Sequence, residues 1–249
     1  MLETMVFELA SLIPSANGQR GTSVLCYHEV VPESTAPLSR YAVHQHTLEL
    51  HLHAARESGR QMLSLRELPH ATGASTLITF DDNLRSHVLY ALPVLSAAQV
   101  SAAFFLNPGE LDIEGHLTRR DVDTLLSAGM AVGAHGFRHM PAIDIAPDRF
   151  AADVRACASF LQSLSMPLTW AYPGGHIGSF TSVHERILAD HGFRIRFSTL
   201  DGLCHPDHLD RVQGRYVIRR DSSIRYVRSA LAGGLGAITA LKKLKAMAS

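Results

Sequence analysis

Residues 76–83, Thr-Leu-Ile-Thr-Phe-Asp-Asp-Asn, constrain the fold more than any other stretch of the chain. A β-prone, mostly apolar run stops abruptly at Asp81 and Asp82. Asn83 follows, a residue that tolerates the left-handed backbone of a tight turn. The pattern predicts a buried strand that delivers two charges to its own C-terminal end. Adjacent carboxylates in a partly desolvated place repel each other, so they persist only beside a cation, a shared proton or a strong donor. A metal ion is the simplest compensator.

A second stretch has the same construction. Residues 130–139, Met-Ala-Val-Gly-Ala-His-Gly-Phe-Arg-His, form a short apolar run ending in two histidines, His135 and His139. Two imidazoles and one carboxylate make a facial set of three ligands that suits zinc and leaves positions open. If Asp82 supplies the carboxylate, Asp81 is left free to take a proton from water. An Asp-Asp pair alone is most often a helix cap or a solvated turn, and a His pair four apart is commonly a surface coincidence. Two strands of one character ending in these groups carry far more information than either pair.

The rest of the chain alternates strand and helix with no internal repeat. Strands are expected at 22–28, 62–65, 76–81, 100–106, 130–135, 168–172 and 193–199. Helices are expected at 3–12, 45–58, 85–99, 119–127, 147–165 and 182–190, with Pro93 kinking or breaking the third of these. Two more helical segments are expected within 222–249. Such alternation predicts parallel strands covered by helices, with ligands gathered at the strand C-terminal ends. His28, Asp81, Asp82, His135 and His139 all fall at such ends.

Composition narrows the function classes. Lys plus Arg and Asp plus Glu both number 23, so no bulk field favours nucleic acid. The three cysteines, Cys26, Cys157 and Cys204, lack paired spacing and predict free thiols in a reducing compartment. No basic n-region opens the chain, and no apolar run approaches the ~20 residues that cross a bilayer. The expected location is cytoplasmic. His44, His46, His51 and His53 read as a solvated helix face.

At this point the chain resembles the polysaccharide deacetylases, the NodB-homology group or carbohydrate esterase family four, and within it the exopolysaccharide and intercellular-adhesin branch. The residues that carry the resemblance run in family order from 22 to about 230. Cys26-Tyr27-His28-Glu29-Val30 resembles the Tyr-His-x-Val opening, and Thr79-Phe80-Asp81-Asp82-Asn83 the Thr-Phe-Asp-Asp-Gly motif. His135 to His139 resembles His-Ser/Thr-x-x-His, residues 170–175, Trp-Ala-Tyr-Pro-Gly-Gly, the Phe-Ala-Tyr-Pro-x-Gly motif, and Arg219 a late strand ending in Arg.

The resemblance implies an α/β fold, a distorted barrel of about seven parallel strands. It implies one catalytic domain over 1–249, with a core at about 22–230 and a helical tail at 231–249. It implies Asp81 as general base, Asp82, His135 and His139 as ligands of a divalent metal, most simply Zn2+, and the backbone N–H of Gly174, after Tyr172 and Pro173, as an oxyanion donor. His28 takes the role of general acid, with His176 as second choice, because the late Leu-x-His motif of many members is missing. Three positions depart from the family. Asn83 replaces Gly and needs positive φ, Gly136 replaces a supporting Ser/Thr, and Ala171 stands where many members place the Arg that orients the base. Arg219 or Arg220 is the expected substitute.

The implied activity is removal of N-acetyl groups from an acetamido sugar in a polysaccharide or a lipid-linked glycan precursor. The rivals are deformylation or another non-peptide amide hydrolysis on the same scaffold, and a carbohydrate-binding protein that has lost turnover. The implied partner is an N-acetylated glycan. The basic end of the tail, Lys242, Lys243 and Lys245, adds an expectation of peripheral contact with the inner face of a membrane.

Overall fold

Strand β1, Gly21–Tyr27, and strand β5, Ala74–Phe80, are buried almost from end to end, as strands covered on both faces must be. They pair in parallel with Tyr27 opposite Phe80, so the chain leaves both strands at one level. The N–H of Asp81 still donates to the carbonyl of Tyr27, 3.0 Å away, which ties the two exits together. The computed structural model describes residues 20–36 and 39–234. The helix expected at 3–12 and the basic end of the tail lie outside them.

The remaining strands are β2 (Val30–Val31), β3 (Val43–His44), β4 (Gln61–Leu63), β6 (Ala102–Leu106), β7 (Ala131–Ala134), β8 (Thr169–Ala171), β9 (Ile195–Phe197), β10 (Val212–Gln213) and β11 (Tyr216–Val217). The main sheet runs β10-β9-β8-β7-β6-β5-β1-β11, with β4 beside the first half of β5, and every pairing is parallel. Among the described residues β10 and β11 do not pair, so the sheet curls into a half-barrel of the expected NodB type. β2 and β3 form a separate two-stranded pair.

Strand alternation splits the core in two. Val24, Leu77, Phe105, Ala131, Ala171 and Phe197 belong to an inner cluster that contains no α-helical residue. Their neighbours Leu25, Ile78, Phe104, Val132 and Trp170 face the helices. These are α1 (Gln45–Glu57), α2 (Leu92–Ala97), α3 (Arg119–Ser127), α4 (Pro147–Ser163), α5 (Ser182–Asp190) and α6 (Ile224–Leu231). By the same alternation Cys26, His28, Asp81 and His135 point to the inside.

One expectation is corrected and another refined. His51 does not lie on a solvated face: it shares the buried stripe of α1 with Leu48, Leu52 and Ala55, and its Nδ1 sits 3.1 Å from the hydroxyl of buried Tyr27. Burial lowers its pKa to about 4, so it is neutral in the fold. The break expected within the helix at 85–99 is present but falls before Pro93. A π turn spans His87–Ala91, and α2 begins after it with Pro93 in its first turn, where a missing N–H costs nothing.

Packing inside the barrel depends on Gly133. A Cβ there would lie 2.5 Å from Phe105 Cε1 and 2.7 Å from Thr169 Oγ1. Gly133→Ala is therefore expected to cost about 1–3 kcal/mol through overpacking. Urea unfolding measures this, and an unchanged midpoint would contradict the packing account.

Candidate active site

The site is built on the strand exits. Asp81 points into the barrel, 1% exposed, and meets Arg215, which is fully buried. The guanidinium donates from Nη1 to Oδ1 at 2.7 Å and from Nη2 to Oδ2 at 2.5 Å, a two-pronged pairing that fixes the carboxylate plane. Arg215 is itself held by the Ser198 carbonyl and lies over the rings of Phe105 and Phe197. Burial would raise the Asp81 carboxyl, but Arg215, together with the nearby His135 and His28, outweighs it and holds the pKa at about 2. Asp81 is therefore an anion at neutral pH, and the Cys26 thiol, 3.5 Å from Oδ2, adds a weak donor.

This corrects the expectation for Arg219 and Arg220. Both are exposed, and Arg219 lies beyond the end of β11 with its N–H on Ser222 Oγ. The inward residue is the one before the strand. Gly214 lets the chain pass close to the Leu200 carbonyl, where a Cβ would approach to 2.5 Å, and the next side chain enters the barrel. A lone Arg within the apolar run Tyr216-Val-Ile and its approach was the available sequence signal.

Asp82 leaves the strand differently. Its φ of 78° and that of Asn83, 61°, lie in the left-handed region, which turns the second carboxylate away from the first. Asp82 Oδ1 lies 3.3 Å from His135 Nε2 and 3.0 Å from His139 Nε2, yet this buried oxygen accepts no well-formed hydrogen bond. His135 directs Nδ1 at the Ala171 carbonyl, 2.9 Å away, which requires the proton on Nδ1 and leaves Nε2 as a lone-pair donor. Three electron-pair donors thus converge within 4.8 Å of one another. Burial opposes charge on Asp82, but the two histidines, when protonated at Nε2, override it and hold its carboxyl well below the usual range. Asp82, 3.0 Å away, in turn raises the pKa of His139. The pocket therefore favours positive charge at its centre, and a divalent cation fits it.

Cys26, His28 and Asp81 meet the same spacing. They make a poorer cradle, because Arg215 occupies both Asp81 oxygens and burial pushes the Cys26 thiol up.

Gly136 adopts φ 78°, and any Cβ there would press on Pro173 at 3.1 Å. The support expected from a Ser/Thr comes instead from the Ala171 carbonyl and from Asn107, whose Nδ2 donates to the carbonyls of His135 and Gly136. Pro173 is thereby packed against the histidine loop. Gly174 follows with φ 72°, and among the described residues its N–H donates no hydrogen bond, while its carbonyl accepts from Thr199 Oγ1. Tyr172 is fully buried against Phe180, so it reaches a ligand only through the main chain it anchors. His28 has a ring nitrogen within 4.8 Å of Asp81, and burial lowers its pKa. His176 is exposed beside Gly174.

The polysaccharide deacetylase family profile matches residues 70–195, just over half of the chain. The fold resembles that of IcaB from Ammonifex degensii, with 25% identity and a TM-score of 0.73 over 86% of this chain and 98% of that one. It also resembles the deacetylase PplD from Streptococcus pyogenes, with 20% identity and a TM-score of 0.74 over 85% and 98%. A de-N-acetylase from Aggregatibacter actinomycetemcomitans superposes with a TM-score of 0.73 at 15% identity over 84% and 99%. Among curated proteins no sequence matches.

The ion pair makes a prediction with a definite sign. A carboxyl held below its ordinary 3.8 adds stability that is present above that value and lost as pH falls toward 2. In Arg215→Met burial is opposed only by the nearby His135 and His28, and the carboxyl is expected to rise. The variant should lose about 3–5 kcal/mol near neutral pH, with the deficit shrinking as acid neutralises the stranded Asp81. Urea unfolding with chelator present at both pH values reads this, and a deficit that is small or independent of pH would contradict it.

Proposed function

Because the chain belongs to the polysaccharide deacetylase family, we propose that it is a divalent-metal-dependent N-deacetylase of acetamido sugars in a polysaccharide or lipid-linked glycan. The observation that carries this reading is the buried Asp82 oxygen facing two imidazole nitrogens beside an ionised, separately held Asp81. Asp82, His135 and His139 would hold the cation, and two nitrogens with one carboxylate favour Zn2+. When bound, such an ion lowers the pKa of water toward ~7 and polarises an acyl carbonyl.

The chain's own groups supply the rest. Asp81 accepts the proton that water loses as its oxygen bonds to the acetyl carbon. A carboxylate offers about four lone-pair positions, and Arg215 and Cys26 take three, which leaves one for that proton. The N–H of Gly174 is free to meet the developing oxyanion. His28, entering the step as the imidazolium, gives its proton to the sugar nitrogen as the C–N bond breaks and is left neutral, the form its burial favours, with acetate and the free amine released. The non-catalytic binding reading is motivated by a missing base-orienting Arg, a missing Ser/Thr and a missing late His; Arg215 beside Asp81 supports the enzyme against the first of these.

A continuous sheet from residue 21 to 217 supports one catalytic unit. Three buried free thiols support residence in a reducing compartment. Among the described residues no helix is long and apolar enough to cross a membrane.

Acetate release from a panel of N-acetylated glycans, run beside their N-formyl counterparts, tests the assignment. Chelation should abolish release and Zn2+ restore it, and Asp81→Asn should lose about 10²–10⁴-fold in kcat. Activity that survives chelation, or a near-normal Asp81→Asn variant, would refute the proposal, and preference for formyl would redirect it to deformylation.

A further inference from the structure

Among the described residues no hydrogen bond holds the His28 imidazole. Its Nδ1 is buried without a partner, and what the ring packs against is Tyr41, with centroids 4.8 Å apart and planes 30° from parallel. The guanidinium of Arg40 lies 5.2 Å from the centre of the same Tyr41 ring, a cation on the phenol that meets the imidazole.

The platform is anchored on both sides. Tyr41 N–H donates to Ser39 Oγ at 3.1 Å, the Arg40 carbonyl accepts from Arg220 N–H at 2.9 Å, and the following Ala42 and Val43 are buried. Val43 N–H donates to the Glu29 carbonyl at 3.0 Å, which ties the loop to the residue after His28. From below, buried His87 directs Nε2 to the His28 carbonyl at 2.7 Å and fixes the main chain. Backbone and ring face are thus both determined, by different neighbours.

We infer that Tyr41 is a positioning residue for His28: its ring sets the imidazole plane so that the N–H aims at the leaving nitrogen. The aromatic face does this and the hydroxyl does not. The inference rests on His28 as proton donor. An amide nitrogen needs that proton before the C–N bond breaks, whereas the phenolate of an activated aryl acetate departs without one.

The test compares an N-acetyl glycan with an activated aryl acetate in Tyr41→Leu, Tyr41→Phe and His28→Ala, all zinc-loaded. Tyr41→Leu should lose about 10- to 100-fold in kcat on the glycan. Its KM, zinc content and aryl acetate turnover should stay at wild-type values, and Tyr41→Phe should restore the glycan rate. A Tyr41→Leu variant as fast as wild type overturns the inference. So does an equal loss on both substrates, which marks a structural role, or a loss confined to KM, which marks a sugar platform. His28→Ala separates the two levels: if it loses nothing on the glycan, the proton-donor assignment itself fails, and if it loses more than Tyr41→Leu on the glycan alone, that assignment stands whatever Tyr41 does.

Discussion

Two carboxylates that are neighbours in sequence are compensated in opposite ways, and the architecture of the site follows from keeping them apart. Asp81 continues the strand and is neutralised inside the barrel by Arg215. Asp82 turns through a left-handed φ and is left facing two imidazole nitrogens. One charge is thus permanently paired and geometrically fixed, while the other is a donor with an unfilled partner.

Parallel pairing makes this separation possible. The register sets His28 beside Asp81 and, two residues further along, Asn107 beside His135, and the inner parity turns His28, Asp81 and His135 to the inside of the sheet. Non-glycine residues in the left-handed region, Asp82, Asn83 and His139, cost on the order of 1 kcal/mol each or more. Surrounding bonds over-determine them: Asn83 is held through its carbonyl by Leu117 N–H at 2.8 Å and through its amide to the Glu110 carbonyl at 3.3 Å. At the site these left-handed residues aim side chains off the strand direction, while Gln99, Asp112 and Ser165 adopt the same region elsewhere.

Much of this was readable from residues alone. Apolar runs ending in Asp81-Asp82 and in His135 marked the strand exits, and turn residues marked the rest, because buried parallel strands and their C-terminal ends have a local signature. Asn83 adopts the positive φ its side chain permits. What escaped local reading depends on contacts distant in sequence. Arg215 pairs with a residue far earlier in the chain, and nothing near it announces the partner. His51 is decided by which side of α1 meets the sheet, and the support of His135 by Ala171 and Asn107 passes through backbone carbonyls that no residue type encodes. Arg215, just before β11, reaches Asp81 only because β11 lies beside β1.

Anomalous diffraction at the zinc edge from crystals of the zinc-loaded chain tests the central claim most directly. The account predicts one peak about 2.0–2.2 Å from an Asp82 oxygen and from Nε2 of both His135 and His139, with Asp81 unligated and still paired to Arg215. A peak ligated by Asp81 or Cys26, or no peak between those three side chains, would contradict it.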